Sequence, residues 1–488
     1  MRADGPNAGW KGLLKNWLSL AGAVIALGSC FSFLSLFAFD ALAHFSNPYI
    51  GILTYVVAPG FLFFGLFLVM LGIYRARRRG EQKTPLPALT IDFANPRDRR
   101  ILGWFMFGSV TFLLLSALGS FGTYHFTESV QFCGQACHTV MKPEMVTYHN
   151  GSHARVACVE CHIGPGAAWF VKAKISGTYQ LYAVAFNKYP RPVPTPIKNL
   201  RPARETCEQC HWPEKFVGNL VRTYDSYLGD ETNTHSSVTL MLKVGGANPG
   251  HGPVSGIHWH VYAGNRVEYI ATDAARQVIP WVRMTDEHGT VTEYRAPNFT
   301  NDISGYTIRQ MDCMDCHNRP AHRYRPPNEA VSQAMQLGQI SPALPWIKTN
   351  AVFALTRTYT NEDEAVKAID TLLRSRYPGD ARIDPAIAAV QTIYRNNFFP
   401  EMKANWRSYP ENIGHKNWPG CSRCHDDEHK APNGHKINFA GCTTCHVILS
   451  QSAGQPQDVL RPEGEAFVHP ADEIPDGYKC SDCHTGGP

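Results

Sequence analysis

Fourteen of the chain's 15 cysteines fall in seven close pairs, and every pair is followed directly by histidine. Six read C-x-x-C-H: Cys158/Cys161/His162, Cys207/Cys210/His211, Cys313/Cys316/His317, Cys421/Cys424/His425, Cys442/Cys445/His446 and Cys480/Cys483/His484. The first pair has one extra residue between its sulfurs, Cys133 and Cys137 ahead of His138. Composition alone would produce such a run roughly 0.02 times in a chain of this length, so the repeats dictate the reading. Two sulfurs and an imidazole on one compact turn suit covalent haem, each Cys forming a thioether with a vinyl group and the His lying beneath the ring as proximal iron ligand. Zinc would use paired Cys knuckles lying close together and does not need a His after every pair. A disulfide framework leaves the imidazoles unexplained. Seven covalently bound c-type haems follow from this reading. Haems that replace much of a core leave short helices and loops packed on their faces.

Low-spin irons need a second axial ligand. Fourteen histidines lie outside the motifs, twelve of them from position 149 to position 469. His153, His258 or His260, His322, His415, His429, His435 and His469 are the candidate distal ligands. His44, in a short loop between apolar stretches, and His288, in an Asp-Glu-His-Gly turn, read as exposed residues instead.

Three stretches carry no charged residue: 17–39, 49–74 and 101–122. At about 1.5 Å per residue each exceeds the roughly 30 Å hydrocarbon core, so three spanning helices are predicted. Pro59-Gly60 is expected to kink the second, and Cys30 reads as a small apolar packing residue in the first. The segment 75–100 holds Arg75, Arg77, Arg78, Arg79, Lys83, Arg97, Arg99 and Arg100, and the N-terminus holds Arg2, Lys11 and Lys15, whereas 40–48 has no Lys or Arg. The positive-inside rule then places the N-terminus and 75–100 in the cytoplasm and everything after 122 outside. Residues 1–122 hold 11 basic and 5 acidic residues, and 123–488 hold 35 and 36. The basic excess belongs to the membrane part, and no basic stripe suggests nucleic acid.

The resulting organisation is a three-helix transmembrane anchor over 1–122, a haem domain with the first three motifs over 123–235, a β-rich insert over 236–312, a fourth-motif segment over 313–342, a helical insert over 343–408, and a C-terminal haem domain with the last three motifs over 409–488. Branched and aromatic runs predict strands at 237–244, 257–262, 267–272, 279–284 and 290–294. Alternation in the second of these would put His258 and His260 on one face. Asn361 three residues before Glu364 predicts a helix start and Pro378-Gly379 its stop, and Asp384-Pro385 reads as N-cap plus N1 of the next helix.

The third apolar stretch followed by Glu128-Ser129-Val130-Gln131-Phe132-Cys133, then Cys137-His138-Thr139-Val140-Met141, Ser152-His153 and Cys158-Val159-Glu160-Cys161-His162 resembles the NapC/NirT family of membrane-anchored quinol dehydrogenases over roughly 101–215. Seven haem motifs and three spans are most similar to the heptahaem inner-membrane cytochromes of metal-respiring bacteria. The resemblance implies a multi-pass protein of the bacterial inner membrane with a periplasmic haem domain, which oxidises menaquinol from the quinone pool beside the first haem. Electrons would pass to periplasmic c-type cytochromes or a reductase in anaerobic respiration. It also implies a Met ligand to the first iron. Met141 matches but stands three residues after His138 where the family has two, so His138 and Met141 both stand as that ligand. The family's lysine near the quinol corresponds to Lys172 or Lys174, for which contact with haem propionates or lipid phosphates is the competing reading. The acidic partner expected a turn or two later is replaced by Tyr179 and Gln180. His125, Lys142 and Glu144 complete the candidate proton acceptors.

Two other functions compete: an electron-carrying scaffold subunit of a larger membrane complex without its own quinol site, and a terminal reductase of a small nitrogen oxyanion. The reductase needs an iron with a free face, and the C-x-x-C-K variant common in such enzymes does not occur.

Overall fold

The computed structural model describes residues 16–43, 57–78, 93–136, 138–197, 200–246, 255–262, 264–299, 302–438, 442–455, 459–470 and 478–487. His44, His251, Cys137, the start of the expected second span and the basic residues Arg2, Lys11, Lys15, Arg79 and Lys83 lie outside them. The chain divides into two compact units: Met1–Phe132 with Ile163–Ile175, and Cys133–His162 with Ser176–Pro488.

In the first unit, α1 (Trp17–Ala43), α2 (Ala58–Arg78) and α3 (Pro96–Thr127) form long helices. Trp17–Ser35 and Ala58–Ala76 are long and apolar enough to cross a membrane. With no hydrophobic drive between helices in lipid, close backbone approach has to hold them together. Gly22 and Gly65 provide it: a Cβ on Gly65 would meet the Gly22 carbonyl at 2.7 Å. The Ser19 hydroxyl donates to the Val69 carbonyl at 3.3 Å, and Ser29 donates to that of Ala58. Pro59 falls in the first turn of α2 as described, where a missing N–H removes no helical bond, rather than at a kink between two described helical halves. The α3 start is set by Asn95, whose side chain accepts from the Arg97 amide at 3.0 Å, with Pro96 at the first helical position.

The second unit contains α4 (His138–His149) and most of α5 (Ala167–Ala185), two sheets and a helical cluster. A three-stranded antiparallel sheet runs β1 (Leu220–Tyr227), β2 (His235–Leu242), β7 (His446–Ala453), so its edge strand β7 comes from the sixth motif. A four-stranded sheet runs β5 (Val291–Arg295), β4 (Trp281–Thr285), β3 (Arg266–Ile270), β6 (Ile308–Gln310). It carries Tyr269, Ile270 and Trp281, all fully enclosed. Strands therefore begin at Leu220, before the β-rich segment expected from 236.

One expected strand is replaced by a turn. Ile257–Val261 is a 3₁₀ turn. Gly256 enters it at φ 79, and the Trp259 amide returns to the Gly256 carbonyl at 3.1 Å, closing a turn that extended backbone cannot make. The branched and aromatic side chains there serve packing, not a ladder.

The helical cluster comprises α6 (Pro327–Gln336), α7 (Ile347–Thr356), α8 (Glu362–Arg376) and α9 (Ile383–Asn397). Its core buries Val331, Ile340, Leu344, Ile347, Ile369, Leu373 and Val390 completely. Each such side chain contributes about 1.5–3 kcal/mol of burial. At the α8 N-terminus the Asn361 side-chain oxygen accepts from the Glu364 amide at 2.9 Å, while Glu364 returns to the Thr360 amide at 2.8 Å rather than to that of Asn361. Asp384 does not cap α9: the helix starts at Ile383, because Asp380 accepts from the Arg382 amide at 2.9 Å and draws the first turn two residues earlier. Asp384 instead accepts from Arg374 at 2.6 Å.

Candidate haem sites

The motif segments 158–162, 207–211, 313–317, 421–425 and 480–484 are built on short helical or 3₁₀ turns. In several of them the amide of the motif histidine returns to the carbonyl of the first cysteine: His211 to Cys207 at 2.8 Å, His317 to Cys313 at 2.8 Å, His425 to Cys421 at 3.0 Å and His484 to Cys480 at 2.8 Å. Sulfurs and imidazole thereby share one turn.

Cys445 departs from the arrangement expected of it, in which both sulfurs of a pair and the imidazole share one compact turn. In the sixth motif the 3₁₀ turn covers Cys442–Thr444 alone; Cys445 lies beyond it, and His446 is already the first residue of β7. The Cys445 carbonyl accepts from the Lys243 amide at 2.8 Å, which extends the β2–β7 pairing by a step and draws the chain out of the turn. In the seventh motif Cys483 closes the helical turn Cys480–Cys483 with its side chain exposed, whereas that of Cys480 is partly buried. Asp482 accepts from the Lys479 amide at 2.9 Å and fixes the start of that turn, leaving its last residue at the surface. Cys424 is the opposite case, burial pushing its thiol up to about 12. Neither Cys445 nor Cys483 is in a disulfide, so each sulfur fits a thioether, from a strand edge in one case and an exposed turn end in the other.

Six motif histidines each face one imidazole from elsewhere in the chain. His162 faces His322 with ring centroids 6.4 Å apart, and His211 faces His153 at 6.0 Å. His317 faces His258 at 6.4 Å, and His425 faces His260 at 5.8 Å. His446 faces His415 at 6.3 Å, and His484 faces His469 at 5.9 Å. An iron about 2 Å from one nitrogen of each ring sets such centroids roughly 6 Å apart. The residues therefore fit a bis-histidine iron in each gap.

The ring edges agree. Nδ1 of His153 meets the Pro320 carbonyl at 2.9 Å, His322 that of Glu144 at 2.9 Å, His260 that of Ile257 at 2.8 Å, and His425 that of Asn438 at 3.1 Å. A carbonyl can only accept, so Nδ1 carries the proton and Nε2 is left to bind metal. Burial pushes His162, His258, His260, His317, His415, His446 and His484 below the ordinary imidazole value, and His322 down to about 4. Neutral imidazole is the ligating form.

One expected ligand is placed differently. His429, only 2% exposed, has both ring nitrogens engaged: Nδ1 with the Asp426 carboxylate at 2.9 Å and Nε2 with the Ile279 carbonyl at 2.7 Å. No nitrogen remains for iron. Nδ1 of His435 meets the Tyr294 hydroxyl at 3.2 Å, and its ring faces Tyr294. His429 and His435 thus tie the segment around the four-stranded sheet to the fifth-motif loop. His288 is exposed, with Asp286 accepting from its amide at 2.9 Å.

Neighbouring motifs touch in chain order. Cys133 and Cys158 lie within hydrogen-bonding reach, as do Cys207 and Cys313. Cys210 is close enough to push the Cys161 thiol up, and Cys421 that of Cys316, burial being the larger cause in both. The fourth and fifth motifs are also locked by residues that sequence reasoning passed over, the variable positions between paired cysteines. Asp315 is buried and accepts from the Tyr269 hydroxyl at 2.5 Å and from Arg276 at 3.1 Å. Arg423 donates to the Asp315 carbonyl at 2.7 Å and to the Arg276 carbonyl at 2.8 Å. The Cys421 amide donates to the Gly414 carbonyl at 3.1 Å, one residue before His415. Their only sequence signal was charge inside a haem motif.

In the first motif, Cys137 and the side chain of His138 lie outside the described residues, as does the side chain of Cys442 in the sixth. Met141 is partly buried on α4. Met145, one turn beyond Met141, packs its thioether on Gly134.

The candidate proton acceptors separate into two groups. In the first unit, Lys174 sits 3.8 Å from Glu128 and 3.3 Å from the Thr127 hydroxyl, with its ammonium over the Phe170 ring. Glu128, at the end of α3, places a carboxylate beside Lys174; it stands upstream of the lysine, whereas Tyr179 and Gln180 downstream carry no acid. Lys172 covers the Trp169 ring, and His125 packs against Phe121 at 4.4 Å. In the second unit, Lys142 pairs with Glu362 at 2.5 Å. Glu144 is buried beside Arg319 and Tyr324, burial raising its carboxyl above the usual range. Lys142 and Glu144 therefore have structural partners of their own.

Residues 95–193 match the model of the NapC/NirT cytochrome c family, N-terminal region. The chain is 42% identical over 494 residues to the cytochrome c-type protein ImcH of Geobacter sulfurreducens, covering 97% of this chain and 96% of that one. No solved structure matches it.

Proposed function

From the premise that this chain belongs to the NapC/NirT-type cytochromes c, membrane-anchored electron carriers with covalently bound haem, we propose that it takes electrons from menaquinol and delivers them to periplasmic redox partners through seven haems. The observation that carries the reading is the set of six motif imidazoles, each opposed by one other imidazole across an iron-sized gap. Haem held between these paired histidines would supply one-electron carriage. The chain's residues do the rest. The six histidine pairs would hold the irons, and backbone carbonyls fix the tautomer of His153, His258, His260, His322 and His425. Motif contacts in chain order give a route from the first pair, next in sequence to the anchor, as far as the fifth.

Quinol oxidation belongs to the first-motif end. Lys174 and Glu128, at the outer end of α3, would orient the quinol hydroxyl and accept its proton. A third span by α3 and a periplasmic haem domain complete the proposed topology. The test is anaerobic stopped-flow mixing of the detergent-purified protein with reduced menaquinone analogue, following the haem bands, together with intact mass. Rapid reduction and about seven haem-sized adducts are expected. A fully loaded protein that dithionite reduces but quinol does not would sink the quinol reading and favour the scaffold function.

A further inference from the structure

α5 and the turn that follows it present an apolar stripe that no described residue of its own unit covers. Tyr179, Tyr182 and Phe186 recur at helical spacing and are 66%, 45% and 64% exposed. Their rings form a ladder, with centroids 6.4 Å apart between the tyrosines and 4.9 Å between Tyr182 and Phe186. The opposite side is satisfied: Ala183 is buried and Val184 packs on the helical core. The Lys188 ammonium meets the Tyr182 hydroxyl at 2.8 Å, and the Arg191 guanidinium lies over the Tyr189 ring at 4.7 Å. Aromatic rings carrying a polar tip, flanked by Lys and Arg, are the chemistry of a membrane–water interface.

Charge selects the occupant. Residues 163–204 hold seven basic residues (Lys172, Lys174, Lys188, Arg191, Lys198, Arg201 and Arg204) and no acidic one, in a region that is otherwise balanced. Such a segment is drawn to anionic headgroups. The helix is also continuous with the anchor: its first half meets the end of α3 through Tyr124 and Phe170, 6.1 Å apart, and through Lys174 and Glu128.

We infer that the Tyr179–Tyr182–Phe186 face of α5 lies in the anionic lipid interface, as a second membrane attachment beyond the N-terminal helices. The attachment stands independently of quinol oxidation.

The full-length holoprotein is tested in nanodiscs containing a phosphatidylglycerol with a diazirine in its acyl chain. A Cys30→Ser background carries single probes Tyr182→Cys, Phe186→Cys or, as an exposed control between α6 and α7, Leu337→Cys. Illumination should attach lipid to peptides spanning 175–191. A water-soluble maleimide should label the two α5 probes about tenfold or more slowly than the control, as interfacial burial requires. The protection should weaken in neutral phosphatidylcholine discs. Labelling of Tyr182→Cys at the control rate overturns the inference. So does protection without lipid attachment, which would assign the face to a second copy or a protein partner. Haem spectra matching the unsubstituted protein confirm that the variants fold.

Discussion

His258 and His260 stand two residues apart in one 3₁₀ turn, yet their rings face different motif histidines: His258 faces His317 at 6.4 Å and His260 faces His425 at 5.8 Å. In a 3₁₀ turn, side chains eclipse at i and i+3, so residues i and i+2 leave the axis in different directions. One short turn therefore reaches two neighbouring motifs and sets their separation, with Asp315 and Arg423 fastening the same two motifs together.

This relationship predicts separable losses. His258→Ala and His260→Ala should each convert about one haem from low spin to high spin, and the double variant about two, because each side chain alone fills one axial position. Magnetic circular dichroism or low-temperature EPR of the oxidised protein reads the count. An unchanged low-spin signal in either single variant contradicts the assignment.

His429→Ala should behave otherwise. It removes no ligand but strands a buried carboxylate and a buried carbonyl, costing about 1–3 kcal/mol of stability. Denaturant unfolding should register the loss while the haem spectrum remains that of the parent.

Lys174→Ala and Glu128→Gln should each slow haem reduction by menaquinol analogue by about 100-fold or more, the low end of what a positioned proton acceptor contributes. Reduction by dithionite should be unaffected. Lys142→Ala, which breaks a pair with Glu362 in the other unit, should leave the quinol rate within about twofold, as an exposed ion pair has little energetic weight.

Lys348 lies 6% exposed in the helical cluster, its ammonium held by the Ser332 hydroxyl at 2.5 Å and the Asn328 carbonyl. Burial pushes it down to about 7, with the Lys416 charge adding to the effect. The unfolded lysine binds its proton up to about pH 10.4. Between those values the unfolded state holds more protons, so stability rises with pH and the full penalty persists below pH 7. Guanidinium titrations at pH 7 and pH 9.5 should show this gain, and Lys348→Met should flatten it.

Much of the molecule is legible from short windows. An uncharged run long enough for a bilayer, an asparagine three residues before a glutamate, and two cysteines beside a histidine are local patterns with local physical causes. They anticipated α1, the α8 cap at Asn361 and most of the motif turns. Reading failed where a local preference had a non-local competitor. Ile257–Tyr262 has the composition of a strand, but Gly256 and the demands of two motifs bend it into a turn. Cys445 belongs to a turn motif, but pairing with β2 pulls it towards a strand. Asp384-Pro385 looks like a cap, but Asp380 starts the helix first. His429 looks like a ligand until the Ile279 carbonyl takes its last nitrogen.

The amino-acid sequence alone determined that this chain attaches haem and lies at a membrane, because both depend on residues adjacent along the backbone. Which imidazole opposes which, that Glu128 answers Lys174, and that Asp315 meets Arg423 were decided only by the tertiary structure. Such partners are brought together by the packing of distant segments, and spacing along a chain carries no record of distance across a fold.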